Sequence, residues 1–189
     1  DAMAAQVEHH LRRARAAANA RAIGARTPVT PVVEDLSRTL EKIHRRKGVE
    51  IEVELTETLL FRGERQDLEE LVGNLLENAC KWAERRVRIR AGQGEAGQIE
   101  ICIEDDGPGL SEAERQAVLG RGVRLDEQAP GTGLGLAIVK RICEDHGGEL
   151  KLADAETLRG ARVCLIFPLK PHGEGGEGTE RKLQTLAAE

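Results

Sequence analysis

The chain has 189 residues, 40% of them apolar, which suits one domain plus an appendage and is enough for a proper core. With two Phe, one Trp and no Tyr, the core must be aliphatic, and base-stacking platforms for single-stranded nucleic acid are not on offer. A net charge of −5 with interspersed signs argues against a nucleic-acid or membrane-surface protein, so any basic function is local. Cys80, Cys102, Cys143 and Cys164 lie far apart in apolar patterns, with neither CxxC spacing nor a histidine cluster nearby. That predicts buried free thiols in a reducing compartment rather than disulfides or zinc. No apolar run reaches about 18 residues and no signal peptide is recognisable, which predicts a cytoplasmic chain.

Residues 1–23 are rich in Ala and Arg, and Met3, Val7, Leu11, Ala14 and Ala18 form a narrow stripe near heptad spacing. This suits a helix that packs on a bundle partner. His9 and His10 lie on it as ordinary polar surface. Gly24–Thr30 break the pattern, and Thr30 before Pro31 reads as an N-cap followed by proline at the first helical position. The helix that follows presents Val33, Leu36, Leu40 and Ile43 on one side and ends near Gly48. Residues 49–55 alternate Val49, Ile51, Val53 and Leu55 with Glu50, Glu52 and Glu54, a one-sided strand.

Residues 67–83 read DLEELVGNLLENACKWA. Leu68, Leu71, Val72, Leu75, Leu76, Ala79, Cys80 and Ala83 recur at steps of three and four, the buried face of an amphipathic helix. Glu70, Asn74, Asn78 and Lys81 share a second, narrow face at about 100° per residue. Two carboxamides and an ammonium one turn apart can chelate a cation and hold an anion.

Residues 86–91 and 98–105 are two strands joined by the Gly-rich link 92–97, with Val87, Ile89 and Ala91 and then Ile99, Ile101 and Ile103 facing inward. Their outward Arg86, Arg88 and Arg90 oppose Glu100 and Glu104, a charge pattern suited to cross-strand pairing. The expected sheet is wet on one side and covered by helices on the other, an α+β, two-layer sandwich with a mixed, mostly antiparallel sheet. Asp105–Leu110 (DDGPGL) makes a tight turn, and Ser111 with Glu114 forms a capping box for a short helix through Leu119. Residues 120–133 lack apolar periodicity and read as a lid-like loop. Leu134–His146 resume helical spacing, Gly147 is a stop, and residues 149–153 and 161–167 supply two last strands. The glycine-rich, charged tail from 170 has little to bury.

Glycines at 107 and 109, and at 131, 133 and 135, let backbone approach a ligand closely, and the second cluster opens a helix, the usual cradle for phosphate. No strand directly precedes Gly131, which excludes a Rossmann loop, and no GK[ST] follows, which excludes a Walker A loop. NLLENACKW, EDDGPG and GTGLGLAIVK, in this order, resemble the N, G1 and G2 boxes of the GHKL (Bergerat-fold) ATP-binding family. Within it they are similar to the catalytic domain of two-component sensor histidine kinases, with spacing and a GRGVR segment like the PhoQ branch.

The resemblance implies ATP and Mg²⁺ as ligands, with Asn78 on the metal and Asn74 and Lys81 on phosphate oxygens or metal-bound water. Trp82 would lie near the nucleotide, and Asp105 would accept the adenine amino hydrogen. Gly107, Gly109 and Leu110 would pass the base. Gly131, Thr132, Gly133, Leu134, Gly135 and Leu136 would form the phosphate-side hinge and helix start, and Arg121 and Arg124 would reach the γ-phosphate. The implied partition is 1–23, second helix of a dimerisation and phosphotransfer hairpin; 24–30, linker; 31–169, ATP-binding catalytic domain; 170–189, flexible tail.

Two departures stand out. Leu119 and Gly120 replace the family's aromatic F-box pattern, and no phosphoacceptor motif of the HExRTP kind occurs around His9, His10, His44, His146 or His172. The expected partners are therefore a separate hairpin bearing the acceptor histidine, a response regulator and, in a full-length membrane-anchored kinase, a second copy. Where hydrolysing branches of the family keep a glutamate general base, this chain has Asn74, and Glu70 is a turn too far back. The alternatives are an anti-sigma-factor-type serine kinase and a non-catalytic nucleotide-sensing scaffold.

Overall fold

The computed structural model describes residues 24–56, 58–94, 97–118 and 135–168. In chain order the elements are β1 (Thr27–Pro28), α1 (Val29–Ile43), β2 (Glu50–Leu55), β3 (Leu60–Phe61), α2 (Arg65–Trp82), β4 (Arg86–Gln93), β5 (Ile99–Asp105), α3 (Glu112–Val118), α4 (Gly135–Asp145), β6 (Glu149–Asp154) and β7 (Ala161–Phe167). The main sheet has the order β2-β4-β5-β7-β6. Its β2–β4 pair is parallel and the other three pairs are antiparallel. Helices α1, α2 and α4 cover one face, giving the α+β two-layer sandwich that the alternation implies. The core is aliphatic: Leu68, Leu71, Leu76, Ile89, Ile99, Ile101, Ile103 and Leu165 are fully buried. Each contributes roughly 1.5–3 kcal/mol of burial.

Helix α1 begins two residues before the expected start. Pro28 is its N-cap, in an extended conformation and without a side-chain cap bond, so Thr30 caps nothing and Pro31 sits at the third helical position. Proline is tolerated there because the first-turn N–H groups have no intrahelical acceptor. Thr27 and Pro28, assigned to a linker by the sequence pattern, pair with Phe61 and Leu60 in a two-stranded sheet. Ile43 is in phase with the buried stripe but lies past the end of the core, 63% exposed. Ser111 and Glu114 form the expected capping box: Ser111 N–H and Oγ bond Glu114 Oε2 at 2.7 and 2.6 Å, and Glu114 N–H returns to Ser111 Oγ at 3.3 Å. Gly147 (φ 67°) ends α4 as expected, with Gly148 N–H bonded to Cys143 O at 2.8 Å.

Two expectations about the outer sheet face need correction. Glu104 is not wet but 1% exposed, because the β6–β7 connection folds over it and Thr157 Oγ1 donates to its Oε2 at 2.7 Å. Arg90 reaches Glu104 diagonally at 2.8 Å, while Arg88 turns to its directly opposed neighbour on β2, Glu52, at 2.7 Å. Cys102 and Cys164, expected as free thiols, are bonded to one another. They are opposed positions of the β5–β7 ladder, a contact that their sequence separation of 62 conceals. Cys80 and Cys143 are the buried free thiols expected, each pushed up to about 12, chiefly by burial.

Burial alone would raise the Glu104 carboxyl, but the Thr157 hydroxyl and N–H and the guanidiniums of Arg90 and Arg162 outweigh it and hold it below the ordinary carboxylate range. A carboxyl depressed in the folded state stabilises fully above its unfolded value and stops doing so as pH falls through the folded one. The loss of stability below about pH 4 should therefore be shallower in Glu104→Gln than in the parent. Glu104→Ala, which removes the acceptor of the Thr157 hydroxyl and N–H and leaves Arg90 and Arg162 only Glu156 and Glu100 as partners, should lower stability by ~1–3 kcal/mol, read as a shifted urea midpoint at constant m.

Candidate functional site

The site forms where the C-terminal half of α2, the end of β5 and the start of α4 converge. On α2 the apolar stripe is locked inward, Leu75, Leu76 and Ala79 being buried. Helical geometry therefore turns Asn74, Asn78 and Lys81 to its margin, each half-buried. Asn74 Nδ2 donates to Glu70 O one turn back at 2.7 Å, and its Oδ1 faces Gly135. A Cβ on Gly135 would lie 2.9 Å from Asn74 Oδ1 and 3.6 Å from Asn78 Nδ2. Two motifs more than fifty residues apart in the chain are thus in contact: the first residue of α4 abuts the carboxamide face of α2. A helix N-terminus directs unpaired N–H groups and a positive dipole end there.

Asp105, the last residue of β5, is 6% exposed. Its Oδ1 accepts from Gly107 N at 2.9 Å and Ala161 N at 3.3 Å. Oδ2 has no hydrogen-bond donor among the described residues. Burial raises this carboxyl above the ordinary range; the two backbone N–H groups pull it back, and Asp106 adds to the rise. Gly107 packs so closely that a Cβ there would lie 2.4 Å from Trp82 O, which fixes the turn against the end of α2. Gly109 adopts φ 74°, a conformation that glycine takes freely. Leu110 is half-buried and its carbonyl accepts from Arg115 Nε at 3.0 Å. Trp82 is 40% exposed, with Lys81 Nζ 5.1 Å from its ring centroid. Leu136, half-buried, packs on the core at the start of α4.

Contacts thus join Asn74, Asn78 and Gly135 on one stretch of α2 and Lys81, Trp82, Gly107 and Asp105 at its end; Gly109 packs on Gly160, while Leu110 contacts Arg115 and Leu136 the core. Arg121, Arg124, Gly131, Thr132, Gly133 and Leu134 lie outside the described residues. Three contributors escaped the sequence reading. Gly160 presses on Asp105, with a Cβ there falling 2.1 Å from Asp105 Oδ1 and 2.5 Å from Asp105 O. Lys47 Nζ donates to the carbonyls of Cys80 and Lys81 at 3.0 and 2.5 Å, satisfying the C-terminal end of α2. Asp106, which reads as a turn residue, gathers the N–H groups of Glu84, Arg85 and Arg86 at 2.8–3.0 Å and holds the α2–β4 connection. A glycine just before the last strand was a visible signal for Gly160; nothing in the sequence pointed to Lys47. His146 is structural, bridging Arg62 O and Asp67 Oδ2 at 3.0 Å each.

Residues 63–171 match the family described as histidine kinase-, DNA gyrase B-, and HSP90-like ATPase. The chain is 52% identical over 110 residues to the sensor protein kinase CarS of Pseudomonas aeruginosa, covering 58% of this chain and 24% of that protein. It is 39% identical over 140 residues to the sensor protein PhoQ of Escherichia coli, covering 74% and 28%. It thus spans about a quarter of the length of these curated relatives. Among solved structures, the mycobacterial sensor histidine kinase MprB superposes with a TM-score of 0.64 at 36% identity, covering 76% of this chain and 96% of that one. With more than half of its length matched and a solved relative covered almost whole, the chain belongs to the histidine kinase-, DNA gyrase B- and HSP90-like ATPase family, as an ATP-binding domain of the PhoQ-like sensor-kinase type.

Proposed function

We propose that this domain binds ATP with Mg²⁺ and holds the γ-phosphate in line for a histidine on a dimerisation hairpin, as the catalytic part of a two-component sensor histidine kinase. The observation that carries the reading is the contact of Gly135, at the start of α4, with Asn74 and Asn78 on α2. It sets phosphate-directed N–H groups beside carboxamides on one wall, while Asp105 offers an acceptor on another. The residues fit the ion: a carboxamide oxygen is a hard donor suited to Mg²⁺, and Asn74 Oδ1 already points at the phosphate-side helix start. Asn78 is assigned to the metal, with Asn74 and Lys81 on phosphate oxygens. Mg²⁺, when bound, supplies charge neutralisation on the phosphates.

In this reading Asp105 Oδ2 selects adenine, since guanine presents a carbonyl where adenine presents an amine. Trp82, Gly107, Gly109 and Leu110 border the base, and Leu136 seats the start of α4. Gly131, Thr132, Gly133, Leu134, Arg121 and Arg124 complete the phosphate side, the two arginines as lid cations. Asn74 cannot take a proton from water, and Glu70, whose carbonyl rather than carboxylate touches Asn74, is one turn away. The domain therefore works by positioning and electrostatics for an external nucleophile, and hydrolysis is slow. In the same reading residues 1–23 belong to the hairpin, and the link to the domain is confined to residues 24–26, since β1 starts at Thr27 and Val29 is buried in the core; residues 1–23 and 170–189 lie outside the described residues. The wider assembly comprises a second copy, a response regulator and a membrane anchor, with this portion cytoplasmic.

The test is to titrate the chain with a fluorescent ATP analogue with and without Mg²⁺, then supply γ-labelled ATP and a separate histidine-bearing hairpin. Magnesium-dependent binding and label on the hairpin, with none on the chain itself, are expected. Analogue binding without transfer to any sensor-kinase hairpin would leave a nucleotide-sensing scaffold and sink the kinase assignment.

A further inference from the structure

The four cysteines occupy two chemically different settings. Cys80 and Cys143 lie in the apolar core. Cys102 and Cys164 sit on the opposite, charged face of the sheet, among Glu100, Glu104, Arg90 and Arg162. Arg162 Nε is 3.2 Å from Cys164 Sγ and its Nη2 is 3.5 Å from Cys102 Sγ. Cys102, together with Arg90, Arg162 and Glu100, lines an open cavity of about 200 Å³. The bond also joins the two strands that build the Asp105 cradle. Cys102 is three residues before Asp105, and Cys164 is three residues after Ala161, whose N–H holds Asp105 Oδ1.

We propose that Cys102 and Cys164 form a reversible thiol–disulfide exchange site for a dithiol reductant, protein or small molecule, whose state sets the strength of nucleotide binding at Asp105. The second half rests on the ATP-binding reading above. A thiolate of the dithiol enters the cavity and attacks Cys102 Sγ; the Cys102–Cys164 bond breaks, and its electron pair leaves on Cys164 sulfur beside the Arg162 guanidinium. Stabilising the leaving thiolate speeds such exchange. The second thiol of the reductant then attacks the mixed disulfide and frees Cys102, so the dithiol is oxidised to a disulfide. Two electrons and two protons pass to the cysteine pair. The adjacent guanidiniums of Arg162 and Arg90 favour thiolates but oppose a cation, so the Glu100, Cys102 and Cys164 cluster is assigned to redox chemistry rather than to a metal. Bridged, the pair staples β5 to β7 and preorganises the Asp105 cradle; reduced, the cradle loosens.

The test equilibrates the folded chain with dithiothreitol or with oxidised glutathione, blocks free thiols with a maleimide and identifies labelled peptides by mass spectrometry. A fluorescent ATP analogue is titrated into each form and into C102S/C164S. Expected are concerted labelling of Cys102 and Cys164 after reduction, its loss after reoxidation, and analogue affinity weaker by about fivefold or more in the reduced form and the double variant. A pair that stays bridged in millimolar dithiothreitol, or never bridges in oxidised glutathione, overturns the exchange site. So does stoichiometric zinc retained by the reduced chain after gel filtration, which would make the cluster a metal site. Cycling with equal affinity in both forms overturns the coupling. Failure to bind nucleotide in either form would overturn the ATP reading and leave the exchange site standing on the labelling alone.

Discussion

Asp105→Asn should lower adenine-nucleotide affinity by about two orders of magnitude, roughly 3 kcal/mol, while leaving the sheet intact. The reason lies in how the carboxylate is used. Gly107 N–H and Ala161 N–H both point at Oδ1, so Oδ2 is the acceptor left for an exocyclic amine. A carboxamide has one oxygen. Placed toward Gly107 and Ala161, it turns its NH₂ on the adenine NH₂; placed toward adenine, it turns its NH₂ on two backbone donors. Either way donor meets donor in a buried place. A fluorescent ATP analogue titration measures the loss, and urea denaturation followed by the single Trp82 reports whether the fold survives. Unchanged affinity in a folded variant would remove the adenine assignment. The pH dependence runs the same way. Oδ1 is occupied by N–H donors, so a proton adds at Oδ2 and converts the acceptor into a donor. Because burial raises this carboxyl, nucleotide affinity should begin to fall with decreasing pH sooner than an exposed aspartate would titrate.

The parts of this site carried by local periodicity were legible. The step of three and four in residues 67–83 fixed which face of α2 is buried, and with it the placement of Asn74, Asn78 and Lys81. The Ser111–Glu114 box was equally local. What escaped is set by pairings between distant segments. The parallel β2–β4 register decides that Arg88 meets Glu52 rather than its antiparallel opposite Glu104. The β5–β7 register decides that Cys102 meets Cys164, and no spacing rule for cysteines encodes a neighbour across a ladder. Lys47 reads as a surface charge because nothing local says that its ammonium will land on the end of α2. Pro31 misled for another reason. Proline fits anywhere in the first helical turn, so it marks that turn without marking its first residue.

Gly160→Ala should both destabilise the domain by ~2–4 kcal/mol and abolish nucleotide binding. Gly160 N–H donates to Asp105 O at 3.0 Å, and its own carbonyl accepts from Ala155 N, so its backbone is tied on both sides. A Cβ would stand 2.1 Å from Asp105 Oδ1, 2.5 Å from Asp105 O and 2.7 Å from Gly107 N. The carboxylate is the one movable neighbour, and moving it breaks the Gly107 and Ala161 bonds that aim it. The two backbone atoms are part of a buried strand end and its turn, so relief has to separate β5 from the β6–β7 connection. Gly135→Ala is the instructive contrast. Its Cβ meets Asn74 Oδ1 at 2.9 Å, the far end of a side chain that can rotate aside. That variant should keep a near-parental urea midpoint while losing nucleotide affinity, because the displaced group is the one proposed for the phosphate wall. Both variants are read by the same pair of measurements, urea midpoint and analogue titration. A Gly160→Ala protein with parental midpoint and parental affinity would show that the methyl is accommodated, and the Asp105 cradle would then not be the close-packed structure that its distances describe.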